Sequence, residues 1–245
     1  MFIPRLYYPG PIPLNQPLSL GKEASHHIIK VLKLKEGDTL YLFNGESGEY
    51  LAIIKHRENP VIVQAQTFDN ANRESPLFLH LGQGLARGEK MDWIIQKSTE
   101  LGVSAITPLE TTKSLVKLED DRKTKRQTHW QNVAISACEQ SGRTAVPEIH
   151  LPQKLKAWAA QPFEGLSLFF DPASQHTLQS LIQEHPQTKQ FRFAIGPESG
   201  WEENEISFLK ALGFIEANLG PRILRTETAS SVALSLLQGL CGDLG

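Results

Sequence analysis

Short runs of alternating apolar and polar residues fill the first third of the chain. They lie at residues 39–44, 50–56 and 61–67, and the turn-rich segments NGESG and ENP separate them. A period of two residues is typical of half-buried β-strands, and glycine, asparagine and proline mark the turns between strands. The pattern predicts a small β-barrel domain over residues 1–72.

The period changes after the polar segment DNANRES. Residues 77–82 form a strand-type run, and Met91, Ile94, Ile95, Ser98 and Leu101 follow at helical spacing. Further strand-type runs at 104–109, 166–171, 191–196 and 214–219 alternate with helical patterns around 129–140, 175–184, 202–212 and 229–241. The alternation predicts an α/β domain with a mostly parallel sheet over residues 73–245.

Composition places the chain among globular proteins. Of its 245 residues 40% are hydrophobic and 21% are charged, which suits a packed core and a solvated surface. No run approaches the roughly 18 apolar residues of a membrane span. The N-terminal sequence MFIPRLYYPG also lacks the apolar centre of a signal peptide. We therefore expect a cytoplasmic protein with no membrane partner.

Cysteines and histidines give no sign of a metal site. Cys138 and Cys241 are far apart and fall inside helical patterns, so we expect buried, apolar-type thiols rather than a disulfide. His26 and His27 are adjacent and do not have the spacing with which two ligands share a helix face. The sequence predicts no metal ion.

The net charge of −2 gives little attraction for the phosphates of a nucleic acid. Basic residues nevertheless gather in one region, at Lys113, Lys117, Arg122, Lys123, Lys125 and Arg126. This cluster fits a solvated helix face of mixed charge as well as it fits an RNA-contacting surface. Both interpretations stay open.

A glycine-rich segment, Gly82-Gln-Gly84-Leu-Ala-Arg-Gly88, follows a predicted strand and precedes a predicted helix. With Glu110 at the end of the next strand it resembles a dinucleotide-binding loop. The last glycine comes one position late for that fingerprint, and glycine-rich turns are common in α/β proteins. A nicotinamide-dependent oxidoreductase is therefore a minor alternative.

A second loop, Ile195-Gly-Pro-Glu-Ser-Gly200, closes a strand and precedes a helix that begins Trp201-Glu-Glu-Asn-Glu205. Its glycines let the backbone approach a ligand closely. The three glutamates in the first turns of the helix already offset the helix dipole, so a phosphate is disfavoured there. A less anionic ligand fits this loop better.

A third segment, Leu219-Gly-Pro-Arg-Ile-Leu-Arg-Thr-Glu-Thr-Ala229, precedes an apolar helix and concentrates arginine, glutamate and threonine in a short connection. Such loops commonly carry function. A purely structural interpretation makes Thr226 the N-cap and Glu227 a first-turn acid, and leaves the arginines in solvent. The helix itself carries Val232, Leu236, Leu237 and Leu240, which suit either packing on the sheet or a dimer interface.

Taken together, several segments resemble a known family. They are His26-His27, Val31-Leu32-Lys33, Gly37-Asp38, Met91-Asp92-Trp93, Lys97, Glu100-Leu-Gly-Val103, Glu139-Gln-Ser-Gly-Arg143, Val146-Pro147 and the second and third loops described above. They are similar to the SPOUT methyltransferases that methylate N3 of a uridine in small-subunit ribosomal RNA. The similarity covers nearly the whole chain.

The resemblance implies a fold, a cofactor and partners. It implies a PUA-like β-barrel that helps to hold RNA, followed by a SPOUT-type α/β domain with a trefoil knot. It also implies S-adenosyl-L-methionine as the cofactor, uridine 1498 of 16S ribosomal RNA in the small ribosomal subunit as the target, and a homodimer.

The resemblance further assigns site residues. Expected to bind the cofactor are Phe170, Asp171, Pro172, Ile195, Gly196, Pro197, Glu198, Gly200, Leu219, Gly220, Ile223, Leu224, Arg225 and Thr228. Expected to contact RNA are Arg5, His26, His27, Lys30, Lys33, Lys113 and Arg143. The chain departs from the family pattern at Ser199, which is usually glycine, at Lys33, which is often arginine, and at Lys113, where an acidic-basic pair is common. If Ser199 adopts a positive φ, strain of roughly 1–2 kcal/mol is expected.

The implied reaction sets the catalytic candidates. A methyl group on a sulfonium is already activated, so aligning it with N3 is the main requirement. N3 carries a proton and lies on the pairing edge, so the base must be splayed out and deprotonated. We expect Arg225 to stabilise the negative charge on O2 and O4, with Arg143 and Arg222 as alternatives, and Glu227 or solvent to accept the proton. A non-catalytic RNA-binding module of the same fold is the other alternative.

Overall fold

A computed structural model describes residues 3–46, 48–114 and 119–245. The chain divides into two compact units. The first consists of Met1–Glu74 together with Cys138–Val146, and the second of Ser75–Ala137 together with Pro147–Gly245. No helix within the described residues is long and apolar enough to cross a membrane.

The first unit is built on a mixed sheet that has five strands over the described residues. The strands are β1 Arg5–Tyr7, β2 Pro17–Ser19, β3 Thr39–Phe43, β4 Glu49–His56 and β5 Ile62–Asp69, in the order β1-β3-β4-β5-β2. The three long strands are antiparallel neighbours, and β1 pairs with β3 in parallel. Alternate residues such as Leu40, Leu42 and Ile54 are fully buried in the core of this unit. The three strands predicted from the alternation are therefore confirmed.

Helix α1 Lys22–His26 and a π-helix, His27–Leu32, connect β2 to β3. The side chain of Ile28 is fully buried in the core. The π-helix ends at Lys33, whose backbone is left-handed with φ +54°. The guanidinium of Arg57 donates to the carbonyl oxygens of Leu34 at 2.7 Å and Ile29 at 3.3 Å, so it satisfies acceptors that the helix end leaves open.

The second unit is a parallel α/β structure. Its strands are β6 Phe78–Gly84, β7 Ala105–Glu110, β8 Glu148–Ile149, β9 Gln153–Lys154, β10 Leu166–Phe170, β11 Gln190–Ile195 and β12 Ile215–Ala217. Its helices are α2 Lys90–Glu100, α3 Asp120–Ser141, which ends in the first unit, α4 Leu155–Ala159, α5 Leu178–Glu184, α6 Glu203–Ala211 and α7 Thr226–Cys241. The sheet order over the described residues is β12-β10-β11-β6-β7-β8, and β9 also pairs with β7. The prediction of a mostly parallel α/β domain is confirmed.

Both faces of this sheet are covered. Successive residues of a strand point to opposite faces, and along β10 Leu168 and Phe170 join one buried cluster while Phe169 joins the other. Helices α2, α5 and α7 contribute to the first cluster, and α4 and α6 to the second. In such a parallel sheet, ligands bind beyond the carboxyl ends of the strands. The loops after β6, β10, β11 and β12 are therefore where a site is expected.

Candidate functional site

A cavity of about 580 Å³ opens beyond the carboxyl ends of β10 and β11. The segment between β12 and α7 forms its third wall. It is lined by Lys90, Phe170, Asp171, Pro172, Ile195, Gly196, Pro197, Glu198, Gly200, Trp201, Leu219, Gly220, Arg222, Ile223, Leu224, Arg225, Thr226 and Ala229. The volume lies within the range of small-molecule and cofactor sites.

A buried hydrogen-bond network fixes the base of the cavity. The hydroxyl of Thr226 donates to the carbonyl oxygen of Gly196 at 2.7 Å and accepts from the side-chain amide of Gln83 at 2.9 Å. Ser230 donates to the other end of the same amide. Gln83 and Ser230 are fully buried, so this network ties the end of β6, the loop after β11 and the start of α7 together.

Close packing explains why two positions of the glycine-rich segment are glycine. Gly82 and Gly84 lie inside β6 rather than in a turn. A Cβ at Gly84 would lie 2.6 Å from the backbone nitrogen of Pro197, and one at Gly82 would lie 2.6 Å from the ring of Trp158. These glycines therefore allow close packing, and their position differs from that of a phosphate-binding turn.

Trp201 forms the wall between the loop after β11 and the end of β10. Its ring is buried, and its indole N–H donates to the carbonyl oxygen of Phe170 at 2.9 Å. The Nζ of Lys113 donates to the carbonyl oxygen of Trp201 at 2.9 Å, and the hydroxyl of Ser199 donates to the carbonyl oxygen of Lys113 at 3.0 Å. The positive φ of this loop, +71°, belongs to Gly200 and not to Ser199, so the conditional strain at Ser199 does not arise.

Three charged side chains meet at one side of the cavity. The Nζ of Lys90 lies 3.2 Å from Glu198 Oε1 and 3.4 Å from Glu227 Oε2. The hydrogen bond to Glu198 raises the pKa of Lys90 above its ordinary value. Burial alone would raise the pKa of Glu198, but hydrogen bonds from backbone N–H groups and from Lys90 outweigh it and leave that pKa lowered. Both groups are therefore charged at neutral pH.

The segment between β12 and α7 presents an apolar side chain between two arginines. Ile223 is 86% exposed, and Arg222 and Arg225 are also exposed. The N-cap of α7 is Arg225, and Thr226 is the first helical residue. The interpretation of Thr226 as the N-cap is therefore wrong. Its hydroxyl donates to the carbonyl oxygen of Gly196 instead.

Most of the residues assigned to the cofactor in the sequence lie together here. Every one of them except Thr228 lines the cavity, and Thr228 is exposed on the first turn of α7. The structure adds Lys90, Trp201, Arg222, Thr226 and Ala229 to this set. Trp201 directly follows the second loop and Thr226 lies within the third, so both were near a recognised signal. No signal in the sequence pointed to Lys90, because it is distant in sequence from the segments that it contacts.

The two arginines predicted to contact RNA have little exposed side chain, 9% for Arg5 and 8% for Arg143. Arg5 forms an ion pair with Glu49 at 2.9 Å and donates to the carbonyl oxygens of Cys138 and Arg143. Arg143 forms an ion pair with Glu74 at 2.6 Å. Both guanidinium groups therefore hold the segment Cys138–Val146 within its unit, and their donors are directed at protein acceptors.

The remaining predicted RNA contacts are distributed over both units. In the first unit His26, Lys30 and Lys33 are exposed, and His27 is half-buried. In the second unit Lys113 forms an ion pair with Glu202 at 3.4 Å. Within the basic cluster, Lys117 lies outside the described residues, Lys123 pairs with Glu110, and Arg122, Lys125 and Arg126 are exposed on α3. No group of three or more metal-ligating side chains occurs among the residues that the structure describes.

Family models match both parts of the chain. The RNA methyltransferase domain matches residues 73–238, and the RNA methyltransferase PUA domain matches residues 20–65. A relative from Buchnera aphidicola subsp. Schizaphis graminum, named ribosomal RNA small subunit methyltransferase E, is 39% identical over 247 aligned residues, covering 99% of this chain and 98% of the relative. The chain belongs to this family of RNA methyltransferases.

Two solved structures resemble the chain over its full length. A methyltransferase of Legionella pneumophila in complex with the cofactor SAM is 40% identical with a TM-score of 0.94, and all of both chains is covered. Ribosomal RNA small subunit methyltransferase E from Neisseria gonorrhoeae, bound to S-adenosyl methionine, is 33% identical with a TM-score of 0.92 and the same coverage. The predicted α/β fold with a PUA domain is thereby confirmed.

Proposed function

We propose that this protein transfers the methyl group of S-adenosyl-L-methionine to N3 of a uridine in 16S ribosomal RNA, at the position numbered uridine 1498. The observation that carries the proposal is the cavity at the carboxyl ends of β10 and β11, in a chain of the RNA methyltransferase family. The two related structures that contain this cofactor support the choice of ligand.

The cavity fits this cofactor in size and chemistry. Its volume of about 580 Å³ suits a nucleoside joined to an amino acid. Backbone groups of residues 170–172, 195–200 and 219–225 would hold the cofactor, together with the apolar side chains of Ile195, Leu219 and Leu224. The carboxylates of Asp171 and Glu198 favour a ligand that carries positive charge. When bound, S-adenosyl-L-methionine supplies an activated methyl group.

The arginines beside the cavity are candidates to stabilise the negative charge on the target base. Deprotonation of N3 spreads negative charge over the two uracil oxygens that flank it, and a planar guanidinium can direct its N–H groups at one of these oxygens. Arg225 lines the cavity and is exposed, so we assign it this role, with Arg222 as the second choice. Arg143 takes no part in this assignment, because Glu74 occupies its guanidinium.

Two acceptors are open for the proton of N3. Glu227 follows the cavity-lining residue Thr226, and its buried Oε2 lies 3.4 Å from the Nζ of Lys90. Transfer to solvent is the other route. The variant Glu227→Gln separates the two, since loss of a general base lowers turnover by roughly 10²-fold or more.

The first unit is proposed to hold the RNA as a PUA-like domain, within a chain divided into a barrel at residues 1–72 and a SPOUT domain at 73–245. The exposed side chains of His26, Lys30 and Lys33 are the proposed contacts. Because the net charge is −2, non-specific attraction for phosphate is weak. The substrate is therefore an assembled or nearly assembled small subunit, recognised by its shape, rather than a short free strand.

A homodimer and a trefoil knot complete the proposal. The dimer is supported by α7, whose Leu236 and Leu240 are 39% and 40% exposed and lie one helical turn apart with Val232 on the same face. Leu237 is fully buried and packs inside its own unit, so it is removed from the interface prediction. The knot is the arrangement that the resemblance implies for the loops between β11 and α7.

Calorimetric titration and methyl transfer test this function. The protein is expected to bind S-adenosyl-L-methionine and not NADP, and to move labelled methyl from the cofactor into isolated small ribosomal subunits. Binding of NADP alone would favour the oxidoreductase. Cofactor binding with no transfer to any ribosomal RNA preparation would favour the non-catalytic RNA-binding module. Equal methylation of a short uridine-containing strand would contradict the proposal about the assembled subunit.

A further inference from the structure

Lys90, the first residue of α2, contacts two segments that border the cavity. Its ammonium group lies 3.2 Å from the carboxylate of Glu198 in the loop after β11 and 3.4 Å from that of Glu227 in the first turn of α7. One cation therefore connects three chain segments at one side of the cavity. The family resemblance assigned no role to this residue.

Glu198 is held by a second donor from the same region. The backbone N–H of Arg87 donates to its Oε1 at 3.2 Å, and the Nζ of Lys90 donates to the same oxygen. The carboxylate of Glu198 thus joins the loop after β11 to the segment that leads into α2. On its other side this loop is held by Ser199, whose hydroxyl donates to the carbonyl oxygen of Lys113. The wall formed by residues 195–200 is fixed at both sides.

The ion pairs of Lys90 are partly shielded from water. The side-chain exposure is 34% for Lys90, 26% for Glu198 and 17% for Glu227. Ion pairs at fully exposed positions contribute little, because solvent screens them and the side chains lose entropy. Here one ammonium group contacts two carboxylates that are mostly shielded from water. The entropy lost by ordering one lysine side chain is therefore offset by two ion pairs rather than one.

We propose that Lys90 is a positioning residue for the cofactor, which it affects by holding the loop after β11 and the start of α7 in the arrangement that encloses the ligand. The proposal rests on the proposed function, since S-adenosyl-L-methionine is taken as the occupant of the cavity. A wall that is already ordered before binding removes the entropic cost of ordering it when the ligand arrives. Loss of Lys90 therefore weakens cofactor binding without removing a group that touches the reacting atoms.

The test compares Lys90→Met, Lys90→Arg and a matched control, Lys97→Met. Lys97 lies on the same helix, is 35% exposed and forms an ion pair with Glu100 at 2.9 Å, but it does not line the cavity. By calorimetry with S-adenosyl-L-methionine, Lys90→Met is expected to raise Kd about tenfold. Lys90→Arg keeps the charge and the reach, so its Kd stays within about threefold of wild type, and Lys97→Met leaves Kd unchanged.

Kinetics on small subunits separate positioning from a general loss of structure. Lys90→Met is expected to raise KM for the cofactor about tenfold while KM for the RNA substrate and kcat at saturating cofactor stay near wild type. Melting temperatures of Lys90→Met and Lys97→Met should agree. Equal KM values for the cofactor in Lys90→Met and wild type, or the same increase in Lys97→Met, would overturn the proposal.

A double-mutant cycle that combines Lys90→Met with Glu198→Gln tests the ion pair between these two residues. If Lys90 acts in part through Glu198, the loss of cofactor affinity in the double variant is smaller than the sum of the losses in the two single variants. Additive losses would overturn the proposal, because they would mean that the two residues act separately. If Lys90→Met does not fold, Glu198→Gln and Lys90→Arg supply the comparison. Wild-type protein that fails to bind the cofactor overturns the proposed function itself, whereas equal binding by wild type and Lys90→Met removes only the role of Lys90.

Discussion

The guanidinium of Arg225 is exposed and lines the cavity, and its proposed partner is a uracil anion. Lysine keeps the charge at this position but lacks the planar guanidinium, which can direct its N–H groups at a uracil oxygen. Arg225→Lys is expected to lower kcat about tenfold or more and to leave the Kd for S-adenosyl-L-methionine and the melting temperature near wild type. Arg222→Lys, on the same segment, should lose less. A larger loss in Arg222→Lys would transfer the role to Arg222.

His80 gives a pH dependence of stability that is independent of the cavity. Burial, with smaller effects of His150 and Arg192, lowers the pKa of His80 to about 3. The indole N–H of Trp158 donates to its Nε2 at 3.4 Å, which fits a neutral ring that accepts at this atom. Because the unfolded chain binds a proton near pH 6.5 and the folded chain does not, this stabilisation is complete above that pH and is lost as the pH falls towards 3.

Urea unfolding of wild type and His80→Gln at pH 7 and pH 5 measures this effect. The wild type should lose about 2 kcal/mol more than the variant between these values, since each pH unit below the unfolded pKa costs about 1.4 kcal/mol. Glutamine retains polar atoms but does not titrate. Equal losses in the two proteins would show that His80 is not the group responsible.

Single residues show where the sequence was informative and where it was not. Residues close together in the chain, such as those from Ile195 to Gly200, were assigned to one loop because their spacing is visible in the sequence. The family resemblance assigned Arg5 and Arg143 to RNA contacts, and the structure pairs them with Glu49 and Glu74, which are distant in the sequence. Burial and partners at such separations depend on the folded structure, and no local pattern reports them.

Strand β6 leaves no room for a side chain at Gly84. A methyl group on Gly84 would lie 2.6 Å from a backbone atom of Pro197, so the strand or the loop must move. Gly84→Ala is expected to destabilise the second unit by about 1–3 kcal/mol and to weaken cofactor binding. Gly21→Ala is the matched control, because its Cβ meets nothing within 4 Å and its φ of −61° suits alanine. Similar unfolding curves for the two variants would contradict this packing account.

The sequence predicted some strands and helices more accurately than others. Strands β3, β4 and β5 and the strands and helices of the second unit with clear periods were found to within a few residues. Strands β1, β2, β8 and β9 have two or three residues each, too few to establish a period, and they form because a neighbouring strand offers its free edge. Helix α3 begins near residue 120 rather than 129, because its first turns are highly charged and carry little apolar pattern.

At the scale of the whole protein, the exposed face of helix α7 predicts a dimer. Leu236→Glu places a charge on the exposed face of α7 and is expected to turn a dimer into a monomer of 27.3 kDa without lowering the melting temperature of the isolated chain. Leu212→Glu, at a leucine 43% exposed at the end of α6, is the control and should remain dimeric. Sedimentation at micromolar concentration measures both. A wild-type mass near that of the monomer would remove the dimer from the account.

The central claim is that the protein methylates N3 of one uridine in 16S ribosomal RNA. N3-methyluridine cannot form the normal base pair, so it can be located by arrested primer extension and identified by mass spectrometry of the digested RNA. The most direct measurement compares ribosomal RNA from cells that lack this protein with RNA from the same cells after its gene is restored. The account predicts that N3-methyluridine is absent at uridine 1498 in the first RNA and present in the second. Unchanged N3-methyluridine at that position in cells without the protein would contradict it.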